Sequence, residues 1–135
     1  MPDTFQLEIV TPEKMVVRDS AEEMQIPGKN GYLGILPGHA PLITELAVGE
    51  ITYTRSGSKY HLAVAWGFAE VLPEKVTILA ETCERPEEID VKRAEQAKQK
   101  AEKLLHSGSI DVDYTHAKHS LQKAETRLEV AEKKS

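Results

Sequence analysis

Gly31-Tyr32-Leu33-Gly34-Ile35-Leu36-Pro37-Gly38-His39-Ala40-Pro41-Leu42 is the stretch on which the fold turns. Three glycines and two prolines interrupt a short apolar run, so the backbone must enter a strand, turn sharply after Leu36 and leave in a new direction. A corner of this kind belongs to a β-structure and excludes a helix here. His39 sits in the corner, where an imidazole can act as a base or a metal ligand. No acidic or cysteine partner lies at ligand spacing, so the expected role is structural: an imidazole tying loop carbonyls together.

Outward from the corner, residues 4–82 alternate β-type runs with turn signals about every 8 to 12 residues, the pattern of a sandwich or barrel. Phe5 to Val10 alternates apolar and polar side chains, and Pro12 ends it. Lys14 to Val17 and Glu22 to Ile26 read as the next strands, with a turn by composition at Pro27 to Gly31. Pro41 to Leu46 follows the corner. Val48-Gly49 reads as a turn into Glu50 to Thr54, and Ser56-Gly57-Ser58 as a hairpin into Lys59 to Val64. Phe68 to Leu72 and Lys75 to Leu79, joined across Pro73-Glu74, complete the set. About nine or ten strands in some 80 residues leave no room for helices, so this part reads as a compact antiparallel β-sandwich. His61 reads as a sheet-surface residue, and no cluster of histidines and carboxylates suggests a cupin-like metal site.

The remainder is a different object. Residues 1–89 carry 14 acidic and 7 basic side chains, whereas residues 90–135 carry 8 and 10. The polar, proline-containing segment Glu84 to Ile89 separates the two regimes, which divides the chain into a sandwich over 1–86 and helices over 87–135. Asp90 reads as the N-cap of a helix whose apolar positions are Ala94, Ala97, Ala101, Leu104 and Leu105. Ser107-Gly108-Ser109 stops it, and a second helix begins within Asp111 to Asp113. Its apolar positions, Tyr114, Ala117, Leu121, Ala124, Leu128 and Ala131, step alternately by 3 and 4. Two helices with a tight joint form an antiparallel hairpin. Its seam is mostly alanine, and a buried methyl contributes about 0.8 kcal/mol against about 1.5 to 3 for a leucine. Such a hairpin is expected to dock on the sandwich and to leave it easily.

Composition excludes several functions. A net charge of -5 argues against nucleic acid as a partner. No apolar run approaches the roughly 18 to 20 residues of a membrane span. The first residues are acidic and polar where a signal peptide would be basic and apolar, and an Arg-rich transit segment is missing, so the chain is expected to stay where it is made. One cysteine, Cys83, excludes an internal disulfide and a cysteine metal site, and its expected role is a small buried apolar group. No Gly-rich phosphate loop and no nucleophile with a base partner can be assembled, so catalysis by the chain itself is not expected.

The corner, together with Met24-Gln25-Ile26-Pro27-Gly28 before it and Trp66-Gly67-Phe68-Ala69-Glu70-Val71 after it, resembles the epsilon subunits of bacterial F-type ATP synthases, and the resemblance runs the length of the chain. It implies a non-catalytic rotor subunit of the central stalk of a proton-translocating synthase, peripheral on the cytoplasmic side of the bacterial inner membrane and joined to the membrane through the complex. Its implied partners are the gamma subunit and the c ring, and, when the hairpin extends, the alpha and beta subunits. Extended, the hairpin would restrain ATP hydrolysis. Lys118, Lys123, Arg127, Lys133 and Lys134 would then meet acidic surfaces on beta.

The resemblance also implies a nucleotide site, although no cofactor is required. Ile89-Asp90-Val91-Lys92-Arg93-Ala94 matches the pattern Ile/Leu-Asp-x-x-Arg-Ala by which some bacterial epsilon subunits bind ATP. Glu84 matches an acidic residue near the base, and Lys100, Lys123 and Arg127 match further phosphate-binding positions. Two of those three are lysine, which keeps charge but loses the bidentate fork of arginine. Two readings stand together: a regulatory ATP site, or a helix cap at Asp90 with a surface charge at Arg93. The competing class for the whole chain is a free-standing ligand-binding or adaptor module with a coiled-coil protein-binding hairpin, and an enzyme comes third.

Overall fold

The computed structural model describes residues 3–133, so Lys134 lies outside the described residues. Seven strands precede two helices: β1 (Phe5–Val10), β2 (Met15–Ala21), β3 (Glu23–Gly28), β4 (Gly31–Ile35), β5 (Leu42–Arg55), β6 (Ser58–Val71), β7 (Lys75–Glu84), α1 (Val91–Leu105) and α2 (Tyr114–Ala131). The strands form one hydrogen-bonded sheet in the order β2-β1-β7-β6-β5-β3-β4. All pairs are antiparallel except β1 with β7. That parallel pair departs from the all-antiparallel expectation. It joins the first and last strands, which no tight turn connects, so no hairpin constrains their direction. The sheet rolls over one core to which every strand contributes, including Leu7, Val17, Ile26, Ile35, Ile51, Leu62, Val64 and Ile78.

Seven strands stand where nine or ten were expected, because one expected turn and one expected gap between strands are bends within continuous strands. β5 runs straight through Val48-Gly49, and β6 through Trp66-Gly67. The alternation of buried residues changes phase there. On β6, Leu62 and Val64 face the core before the bend and Ala69 and Val71 after it; on β5, Leu46 gives way to Ile51 and Tyr53; on β7, Ala80 gives way to Cys83. The three changes lie side by side, since Leu46 pairs with Gly67 and Gly67 with Ala80. The sheet is folded along this line, which is how long strands pass from one layer of a sandwich to the other. Trp66 and Gly67 carry the fold, with φ of 54° and 130°.

The corner behaves as its composition requires. The His39 N–H donates to the Leu36 carbonyl at 3.1 Å, and Gly38 has φ of 85°, which makes Pro37-Gly38 the centre of a type II turn. The Gly38 N–H also reaches the Pro73 carbonyl at 2.8 Å, tying the corner to the β6–β7 turn. His39 Nδ1 lies 2.6 Å from the Ala40 carbonyl oxygen, the structural role expected of it.

A single 3-10 turn, Pro86–Glu88, leads into the hairpin. Asp90 caps α1 by accepting from the Arg93 N–H at 3.0 Å, and Asp113 caps α2 through the His116 N–H at 3.0 Å. Both caps satisfy amide groups that a helix start leaves unpaired. The seam between the helices is alanine: Ala94 and Ala101 on α1, Ala117 and Ala124 on α2, all buried. Ala97 and Leu104 of the expected α1 stripe are exposed. The hairpin rests on the sandwich chiefly through α2, against β5 and β6, while α1 packs on α2.

Candidate functional site

The underside of α2 and the sheet beneath it bring together an apolar cluster, two sets of ion pairs and an aromatic contact. The phase of β6 here sends Leu62 and Val64 inward and leaves His61, Ala63 and Ala65 on the face that α2 covers. Two alanines make a flat floor. Val130 of α2, fully buried, settles on Ala63 with Ile89 from the segment before α1. This small apolar cluster is separate from the sandwich core.

Polar contacts flank it on both sides. Arg127 Nε donates to Glu84 Oε1 at 2.5 Å, with both side chains about two-thirds covered. Lys133 Nζ reaches both carboxylate oxygens of Glu50, at 2.6 and 2.9 Å, and His61 Nδ1 lies 2.9 Å from Glu50 Oε2. One turn before Arg127, Lys123 Nζ stands 4.7 Å from the centre of the Trp66 ring, and His119 meets the same ring edge-on at 5.2 Å. Trp66, at the fold line of the sheet, is therefore clasped by two residues of α2 four positions apart, which is one helical turn.

Of the residues singled out from sequence, Glu84, Asp90, Arg93, Ala94, Lys123 and Arg127 line one cleft of about 260 Å³ between α1, α2 and the end of β7. Three cations and two carboxylates face it, a balance that suits an anion. Lys100 does not line the cleft; it stands exposed on α1, about two turns past Arg93. Ile89 is buried against Val130 and Ala63, so it holds the segment in place. Ala94 belongs to the alanine seam. The motif thus divides into packing residues, a cap and one exposed arginine.

Near the junction, the Lys14 ammonium at 2.5 Å and the Arg85 amide at 3.0 Å hold the Glu88 carboxyl below the usual carboxylate range. This ties the 3-10 turn to the β1–β2 connection. Burial pushes the Cys83 thiol up to about 12, as suits a packing residue. Among the described residues no group of three histidine, cysteine or acidic side chains is placed to hold a metal, and no helix is long and apolar enough to cross a membrane.

Trp66, Glu50 and Val130 were given no site role from sequence, and His61, read as a sheet-surface residue, is instead largely covered beside Glu50. The alternation around Trp66-Gly67 was the one available signal, since an aromatic beside glycine at a change of phase marks a bend.

The fold and this junction define a class: a β-sandwich carrying a two-helix arm that rests on it through a narrow contact. Comparison with known proteins gives the family. Residues 4–86 match the beta-sandwich domain of the ATP synthase delta/epsilon chain, and residues 87–132 match its long alpha-helix domain. The ATP synthase epsilon chain of Koribacter versatilis is 72% identical over 107 residues, 79% of this chain and 75% of that one. That of Solibacter usitatus is 45% identical over 134 residues, 99% of this chain and 100% of that one. In fold, the structure is similar to a chain of the Euglena gracilis mitochondrial ATP synthase, solved as OSCP/F1/c-ring in rotational state 1, with a TM-score of 0.82 at 24% identity, covering 97% of this chain and 82% of that one. The chain belongs to the ATP synthase delta/epsilon chain family.

Proposed function

We propose that the chain works in the rotating central stalk of a proton-translocating ATP synthase, peripheral on the cytoplasmic side of a bacterial inner membrane. The sandwich binds the gamma subunit and the c ring and passes rotation to the catalytic head. The α1–α2 hairpin leaves the sandwich, meets alpha and beta, and restrains ATP hydrolysis. The observation that carries the regulatory reading is the narrowness of the docked contact. One valine on Ala63 and Ile89, two ion-pair clusters and one clasped tryptophan hold the arm. Partly exposed ion pairs of this kind contribute about 0.2 to 1 kcal/mol each. An arm so held is a low-stability unit that a partner can capture. In the assembled complex, ending the chain after Glu88 is expected to raise ATP hydrolysis while leaving the complex intact. Unchanged hydrolysis would remove the restraint from the arm.

The cleft holding Arg93, Lys123 and Arg127 is the proposed regulatory ATP site. Its 260 Å³ falls below the roughly 300 to 1,000 Å³ of most ligand pockets. A nucleotide therefore needs Arg127 to turn from Glu84 toward phosphate. Calorimetric titration of the full chain with ATP is expected to give heat that Arg93→Ala abolishes. No heat at millimolar ATP would leave Asp90 as a cap and Arg93 as a surface charge.

A further inference from the structure

Glu50 is shared. One carboxylate on the sandwich accepts from Lys133, at the end of the arm, and from His61 on the neighbouring strand. Its side chain is 14% exposed and that of His61 19%. A carboxylate accepts only, so His61 Nδ1 carries hydrogen in this contact and Nε2 is the position left to take up a proton. Other charged and titratable groups lie on the surrounding elements, with Lys123 and His119 of α2 at the Trp66 ring. Arg127 of α2 pairs with Glu84 of β7, and Glu88 of the 3-10 turn pairs with Lys14. Glu87, Glu129 and Glu132 are exposed.

We infer that Glu50, His61 and Lys133 form a proton-sensitive latch that holds the arm to the sandwich at neutral pH and loosens it as pH falls. This rests on the reading that the arm leaves the sandwich. With His61 neutral, Glu50 and Lys133 are a balanced pair. Protonated, His61 adds a second cation to one carboxylate, weakening its hold on Lys133 and repelling the ammonium across it. With the arm away, Lys133 is gone and the imidazolium has Glu50 to itself. Protonation is thus more favourable in the released state, and by linkage a falling pH favours release. For a partly exposed cluster, the docked-to-released ratio is expected to fall about two- to five-fold between about pH 8 and about pH 5.5.

Trp66 is the chain's one tryptophan and is clasped by α2, so its emission reports docking. The full chain carrying His119→Gln removes the imidazole that touches the indole and would alter its emission directly. Val130→Asp in that background supplies the released reference. At the urea concentration that half-releases the arm at pH 8, acidification to pH 5.5 is expected to move emission toward the reference by the stated ratio. Adding His61→Gln, which keeps a neutral donor, is expected to flatten the response. A flat profile without His61→Gln, or an unchanged response with it, would overturn the latch alone. A Val130→Asp reference indistinguishable from its parent at pH 8 would overturn the releasable arm, and the latch with it.

Discussion

At the scale of single residues, Gly67 is the position the fold depends on most. A Cβ built there would stand 2.0 Å from the Leu79 carbonyl oxygen and 2.8 Å from Ala80 Cα, and φ is +130°. Both neighbours are backbone of the paired strand, so neither can rotate away. Gly67→Ala is expected to cost at least about 2 to 4 kcal/mol, through strain and a forced parting of β6 from β7. Gly34→Ala is the control: no atom lies within 4 Å of its Cβ position, and φ there is ordinary. Urea unfolding of the two variants beside the parent checks this, with Gly34→Ala expected within about 0.5 kcal/mol of it. Trp66, next door, sits at φ of 54°, a region that bulky residues rarely enter. Its ring is held by Lys123 and His119, so a strained backbone is coupled to the presence of the arm.

At the scale of elements, local chemistry was legible where it is local. The Pro37-Gly38 turn, the Asp90 cap and the α2 alanine stripe each depend on residues within a turn or two of one another, and sequence displays those directly. The bends in β5 and β6 were not legible, because glycine followed by a new phase of alternation looks the same whether the chain turns back or merely folds over. The cleft was legible through its motif, yet Lys100 fell outside it because spacing along a helix does not say where another element ends. Val130 escaped for a related reason. It lies off the helix–helix stripe and faces the sandwich, a contact between residues far apart in the chain. Being fully buried, it is also where the arm is most vulnerable. Val130→Ala is expected to weaken docking by about 1 to 2 kcal/mol, deleting buried methyls over a site that cannot collapse onto alanine. Amide exchange should then quicken at Ala63 and Ala65 under α2, while Leu7 and Ile78 in the separate sandwich core keep their protection. Equal loss in both regions would mean that arm and sandwich open as one unit.

At the scale of the molecule, the sandwich has one covered face and one bare one. The arm covers the part of β6 before the fold line. After that line the same strand turns Phe68 outward, where it pairs across the ladder with Leu79, and the two are 53% and 55% exposed. Leu46, Trp66 and Val10 join them around an open groove of about 590 Å³. Contiguous apolar surface on a chain this acidic favours a partner over water. The groove is continuous with Trp66, so a subunit seated in it would lie within reach of the arm's own anchor. This makes it the surface on which the gamma subunit is proposed to dock. Phe68→Lys tests that assignment with little cost to the free chain: the site is already half exposed, a lysine stem still covers the strand, and Glu45 on the paired strand faces the new charge. At a buried interface the same ammonium would be stripped of water without a designed partner, which typically costs several kcal/mol. The variant is expected to unfold at the parent's temperature within a few degrees and to fail to co-purify with gamma. Retention of gamma would move the interface off this groove, and the bare apolar face would then have to be occupied by the c ring or by a second copy of the chain, which sedimentation of the isolated protein distinguishes.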